Sequence, residues 1–155
     1  MLVFTVDCFA DRPFAGNPTA MFLVDSGWPE TQWLQQLAAE LNLPASAFVR
    51  RARGDTELRW FSPQTELALC GSGTLAAAHV LWESGDRADT LVFNTRAGIL
   101  SARQEPDRRI TLDFPVDDPQ PVPTPSMLSA ALGVTPLAVS RGRLDLLAEI
   151  GRAHV

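Results

Sequence analysis

The sequence is short of cysteine: Cys8 and Cys70 are the only two in 155 residues. So sparse a pair makes no disulfide framework, which excludes a small cross-linked secreted scaffold. No apolar run approaches the ~20 residues that a membrane-spanning helix needs. The opening stretch MLVFTVDCFADRPF has no basic n-region and is interrupted by Asp7, so it is not a signal peptide. No membrane association and a cytoplasmic location are the expectations. Basic clusters are scarce too. Net charge is −5, and the nearest approach to a cluster is Arg50, Arg51 and Arg53, which reads as a solvated strand end or turn. A nucleic-acid partner is therefore not expected.

Metal and nucleotide chemistry lack their signatures as well. No His/Cys spacing resembles a ligand set. His79 reads as a core or part-exposed residue, and His154 lies near the end of the chain. Cys70 to Thr74 lacks the G-x-G-x-x-G spacing of a dinucleotide fingerprint, and no phosphate loop occurs. Trp28, Trp33, Trp60 and Trp82 are too scattered for a base-stacking platform and are expected in the core or an interface.

What is present is an ordinary globular composition, 46% hydrophobic and 20% charged, enough for one domain with a core plus a fragment. Leu2 to Phe9 and Thr19 to Val24 read as strands joined across the turn chemistry of ADRPFAGNP, which predicts an antiparallel pair. Trp33, Leu34, Leu37, Ala38 and Leu41 recur at helical spacing, with Asn42 as a stop. Ser46 to Ala52 and Thr56 to Ser62 read as a hairpin around Arg53-Gly54-Asp55. LAAAHVLWE, from Leu75 to Glu83, is apolar nearly all round and predicts a buried central helix closed by Gly85. Strands follow over Thr90–Thr95, Ile99–Gln104 and Arg109–Phe114. Many strands, few helices and no βαβ repeat predict an α+β lobe.

Composition changes at Pro115, where PVDDPQPVPTP holds five of the twelve prolines. The expected organisation is a lobe over 1–115, a Pro-rich linker over 116–125 and the fragment of a second lobe over 126–155. In that fragment Ser126 to Leu132 reads as a short helix ended by Gly133, and Leu144 to Ile150 as a strand. Its tail, Glu149-Ile-Gly-Arg-Ala-His-Val155, matches what a common sequencing adapter encodes in one frame. The expectation is that residues 149–155 are adapter-derived and that the second lobe is truncated.

The most informative segment is Cys70-Gly71-Ser72-Gly73-Thr74, at the mouth of the apolar helix. A Gly-rich turn lets backbone N–H groups converge, and a helix N-terminus adds partial positive charge, which suits a carboxylate. The same field would stabilise a thiolate at Cys70. The plainer alternative is that Cys70 is a small buried hydrophobe and the glycines merely turn the chain. Asn17, in Gly16-Asn17-Pro18, can be explained by asparagine's tolerance of unusual backbone angles.

Several strings carry a resemblance: Asp11-Arg-Pro-Phe-Ala-Gly-Asn-Pro18, Leu37-Ala-Ala-Glu-Leu-Asn-Leu43, Ala47-Phe-Val49, Leu58-Arg-Trp-Phe-Ser-Pro63, Leu69-Cys-Gly71 and Thr74 to Leu81. Asn94-Thr-Arg-Ala-Gly98 and Leu112-Asp-Phe-Pro115 continue it. In this order they resemble the phenazine-biosynthesis PhzF-like family. The resemblance implies a diaminopimelate-epimerase-like fold of two lobes, each a mixed sheet around a central helix, with the active site between them. It also implies an isomerase or epimerase that moves a proton at carbon with no metal, flavin or pyridoxal cofactor. Its ligand would be a small carboxylate-bearing metabolite, and family members are often dimers.

Family members usually use a glutamate in an Asn-Leu-Ser-Glu-Thr-Ala-Phe string and a Cys-Gly-His-Ala-Thr turn. Here the strings are Asn42-Leu-Pro-Ala-Ser-Ala-Phe48 and Cys70 to Thr74, so Ala45 stands at the glutamate position and Ser72 at the histidine. An alanine exchanges no protons. Cys70 is then the candidate catalytic base, with Glu66 a distant alternative. Asn17, Gly71, Ser72, Gly73 and Thr74 are the candidate substrate-binding residues. The rival expectation is a non-catalytic member that binds a small acid or a protein.

Overall fold

In a computed structural model, which describes residues 1–25, 27–52 and 54–151, the first two apolar runs pair as their alternation predicts. Strands β1 (Leu2–Cys8) and β2 (Asn17–Val24) are antiparallel, with Cys8 opposite Asn17. Their connection passes so close to β1 that Gly16 has no room for a side chain. A Cβ there would stand 2.5 Å from the Cys8 carbonyl oxygen. Helix α1 (Thr31–Leu41) buries Leu34 and Ala38 and stops at Asn42, which takes the left-handed conformation (φ 51°) that asparagine tolerates.

The chain re-enters the sheet as β3 (Ala45–Ala52), parallel to β2, and folds back antiparallel as β4 (Asp55–Phe61). Arg53, in the predicted turn, lies outside the described residues. A short β5 (Glu66–Leu67) pairs with β4 and leads into helix α2 (Gly71–Glu83). Strands β6 (Thr90–Thr95), β7 (Gly98–Gln104) and β8 (Ile110–Asp113) complete the sheet, ordered β1-β2-β3-β4-β6-β7-β8 with β5 beside β4.

Alternation along β2 and β3 assigns the two faces. Met21, Ala47 and Val49 pack toward α2, whereas Ala20, Phe22 and Phe48 pack toward α1. Both edge strands, β1 and β8, reach α2, so the sheet curls around that helix. Curling so tightly needs a narrow helix, and Ala76, Ala77 and Ala78, each fully buried, supply it. Leu81 and Val80 fill the remaining space, each contributing roughly 1.5–3 kcal/mol by full burial. His79 is the exposed exception in that run. This is the α+β lobe that the resemblance implies, a mixed sheet around one apolar helix.

The chain divides into two compact units, Met1–Phe114 and Pro115–Val155. In the second, β9 (Gln120–Pro121), β10 (Ala138–Arg141) and β11 (Leu146–Glu149) form a sheet in the order β11-β10-β9. The short helix α3 (Leu128–Leu132) ends at Gly133 in a left-handed conformation, as its sequence predicts. Asp117 accepts from the Arg143 backbone N–H at 2.9 Å and pairs with its guanidinium. Of the tail over 149–155, Glu149 closes β11 and residues 152–155, His154 among them, lie outside the described residues. Among the described residues no helix is long and apolar enough to cross a membrane.

Candidate active site

The start of α2 is built by its own N-cap. Cys70 is extended (φ −147°, ψ 111°) and its sulfur accepts from the Gly73 N–H at 3.4 Å. Its carbonyl accepts from the Thr74 amide at 3.1 Å and the Thr74 hydroxyl at 2.7 Å. Thr74 is fully buried, and its hydroxyl holds the turn. Gly71 and Ser72 occupy the first two helical positions, where no intrahelical carbonyl reaches their amides. A helix start with free amides and the positive end of the helix dipole is an arrangement that suits an anion. Cys70 is part-exposed beside it.

Contacts run inward from this turn. Ser72 Oγ lies 3.5 Å from Cys70 Sγ, and the Ser72 carbonyl accepts from Cys8 Sγ at 3.3 Å. Cys8 also reaches Thr19 Oγ1 at 3.8 Å. Register then places Thr19 opposite Ala45 in β3 and Asn17 opposite Cys8 in β1. The sequence candidates Cys70, Gly71, Ser72, Gly73 and Thr74 are therefore contiguous at one helix mouth. Asn17 reaches the same end of the sheet through Cys8. Its carbonyl accepts from the Thr19 hydroxyl at 3.5 Å.

Two functional candidates escape sequence reasoning. One is Cys8, almost fully buried, whose thiol burial pushes up. The bond with Thr19 opposes that rise and nearby Cys70 adds to it. The other is Trp60, 1% exposed, whose indole lies against Gly73. The pairing of β1 with β2, and the packing of β1 and β4 on α2, bring them here. The strand through Val6-Asp7-Cys8 and its antiparallel partner were readable, but the contact of Cys8 with the turn was not.

Other candidates are held elsewhere. Glu66 receives Arg59 at 2.8 and 2.9 Å and pairs with Arg96 at 2.7 Å, so its oxygens are committed to β4 and its surroundings. His79 lines a groove with Asp7, Leu75 and Ile110 and takes no part in the turn. Arg50 is bound to Glu57, and Arg51 to Asp86. Glu57 is held below the usual carboxylate range by Arg50 first and the Trp28 indole second. Among the described residues, no three of His, Cys, Asp and Glu are grouped as a metal ion requires.

The family model of phenazine biosynthesis-like proteins matches residues 6–142. An uncharacterized isomerase of Pseudomonas aeruginosa is 47% identical over 135 residues, 86% of this chain and 51% of that protein. Another, from Halalkalibacterium halodurans, is 40% identical over 151 residues, 96% of this chain and 56% of that protein. A solved PhzF-family phenazine biosynthesis protein of Enterococcus faecalis superposes with a TM-score of 0.79 at 36% identity. That match covers 93% of this chain and 55% of the other. The chain spans about half the length of the curated relatives it matches.

Proposed function

The chain belongs to the phenazine biosynthesis-like family, and from that premise we propose that it supplies one wall of an isomerase or epimerase active site. The substrate is a small carboxylate-bearing metabolite. In this reading the amides of Gly71 and Ser72 hold the carboxylate at the mouth of α2, with Asn17 at the edge of the site. Cys70, as thiolate, takes the proton from a neighbouring carbon, and the freed electron pair is delocalised toward the carboxylate. Return of a proton to another face or another carbon completes the reaction, with no metal, flavin or pyridoxal group. The supporting observation is one juxtaposition: a part-exposed thiol caps the same turn whose first amides have no internal acceptor.

A second reading, a non-catalytic member that binds small acids or a protein, is favoured by Ala45. That residue is buried at the first position of β3, on the α2 face, where the family's usual glutamate would stand. A positioned acid or base contributes typically ~10²–10⁴-fold, and an alanine contributes none. Solvent-deuterium incorporation into a bound acid, measured on a full-length protein that carries both lobes, separates the two. Exchange that vanishes in Cys70→Ala while binding persists supports the base, and Ala45→Glu should raise exchange further. If turnover is unchanged in Cys70→Ala, the assignment of the base is wrong. If neither the parent nor Ala45→Glu exchanges any proton, the binding reading prevails.

A further inference from the structure

Among the described residues, the buried side-chain atoms without a hydrogen-bond partner are Ser46 Oγ and Trp60 Nε1. Ser46 lies between Ala20 and Phe61 in the sheet register, residues of the α1-facing core and remote from the turn. Trp60 is on the other face, packed with α2. A Cβ built on Gly73 would stand 2.4 Å from Trp60 Cδ1, 3.0 Å from Trp60 Nε1 and 3.2 Å from Cys70 Sγ. The indole nitrogen and the sulfur therefore border the same small space, which exists because residue 73 has no side chain. Trp60 has one N–H to donate and no acceptor, and a neutral thiol accepts weakly.

We infer that Trp60 is a positioning residue for Cys70: its indole N–H, unpartnered while the thiol is neutral and bordering the same space as the sulfur, donates to it once the thiol ionises. Ionisation breaks only the S–H bond, and the proton passes to solvent. The charge left on sulfur then meets three donors, the Gly73 amide that already points at it, the Ser72 hydroxyl at 3.5 Å and the Trp60 indole. Hydrogen bonds to a charged acceptor are the stronger kind. The other titratable groups nearby are Cys8, from β1, and Asp7 beside it. Cys8 is kept neutral by burial, so it competes little for these donors. The functional consequence rests on the reading of Cys70 as the base; the coupling of the two side chains does not.

The composition makes the test clean. All 13 cationic Lys/Arg positions are arginine and there is no tyrosine, so thiolate absorbance in the ultraviolet rises without tyrosinate beneath it. In a Cys8→Ala background Cys70 is the sole thiol. Trp60→Phe should raise the midpoint of its titration by about one unit, a roughly tenfold loss of thiolate at neutral pH. The parent protein offers a second readout that needs no change at Trp60. Its indole N–H resonance, assigned through bonds, should move with the Cys70 midpoint and stay fixed over that range in Cys70→Ala. A Trp60→Phe midpoint equal to the parent's, or an indole resonance indifferent to Cys70 ionisation, overturns the inference. Either result leaves the base assignment to be judged separately by turnover in Cys70→Ala.

Discussion

Cys8 shows what one buried group does to the stability of the lobe. Its thiol is 2% exposed, donates to the Ser72 carbonyl at 3.3 Å and is pushed above its ordinary value of 9.0, chiefly by burial. The folded protein therefore keeps a proton that the unfolded chain releases near that ordinary value. A raised folded value means stability that is complete below the unfolded value and is lost as pH climbs through the folded one. The melting temperature should hold steady to about pH 8 and decline above about pH 9. Cys8→Ala should flatten that decline. With no lysine and no tyrosine in the chain, the fall has few other sources. Parallel alkaline limbs in the parent and Cys8→Ala, followed by calorimetry, would remove Cys8 from the explanation.

Helix α2 meets strand β4 at Gly73, and the contact decides what the helix start can be. Replacing glycine by alanine within a helix ordinarily stabilises by about 1 kcal/mol. Here the new methyl would meet Trp60 Cδ1 at 2.4 Å and Cys70 Sγ at 3.2 Å. Trp60 is locked in the core, so the helix mouth has to shift, at the ~1–3 kcal/mol typical of overpacking. Gly73→Ala should therefore lower the urea midpoint and weaken carboxylate binding together. A more stable variant would mean that the indole moves aside freely. This contact also marks the limit of what was legible beforehand. The helix was written locally, in the all-round apolar run from Leu75 to Glu83, and so was the stop at Asn42. The turn Cys70 to Thr74 was found from its glycines and its place before that run. By contrast, the parallel pairing of β2 with β3 and the arrival of Cys8 and Trp60 beside the turn depend on register between distant strands. No local pattern encodes register. Strands β5 and β9, two residues each, are too short to show any alternation.

At the scale of the whole chain, the two units differ in how much apolar surface each covers. Met1–Phe114 buries Trp60, Phe48, Phe61, Phe93, Met21 and Leu34 almost completely. In Pro115–Val155, Pro136 and Val139 are the buried side chains among the described residues. Leu137, Leu144 and Leu147 are 72%, 59% and 62% exposed. Some forty residues with so small a core cannot offset their own conformational entropy. The backbone bonds of β9, β10 and β11 are correspondingly accessible to local opening, whose free energy follows the density of buried contacts. Native-state hydrogen exchange should then separate the units. Amides of β2, β3, β4 and α2 should exchange only with global unfolding, and those of β10 and β11 at least a hundredfold faster, roughly 3 kcal/mol less protected. Partial urea should release the second unit first, leaving the near-ultraviolet signal of Trp60 intact. If the Val139 and Leu147 amides are as protected as those of Met21 and Phe48, the 155-residue chain stabilises its second unit by contacts beyond that small core. The apolar side chains exposed in the second unit would then be the first place to look for them.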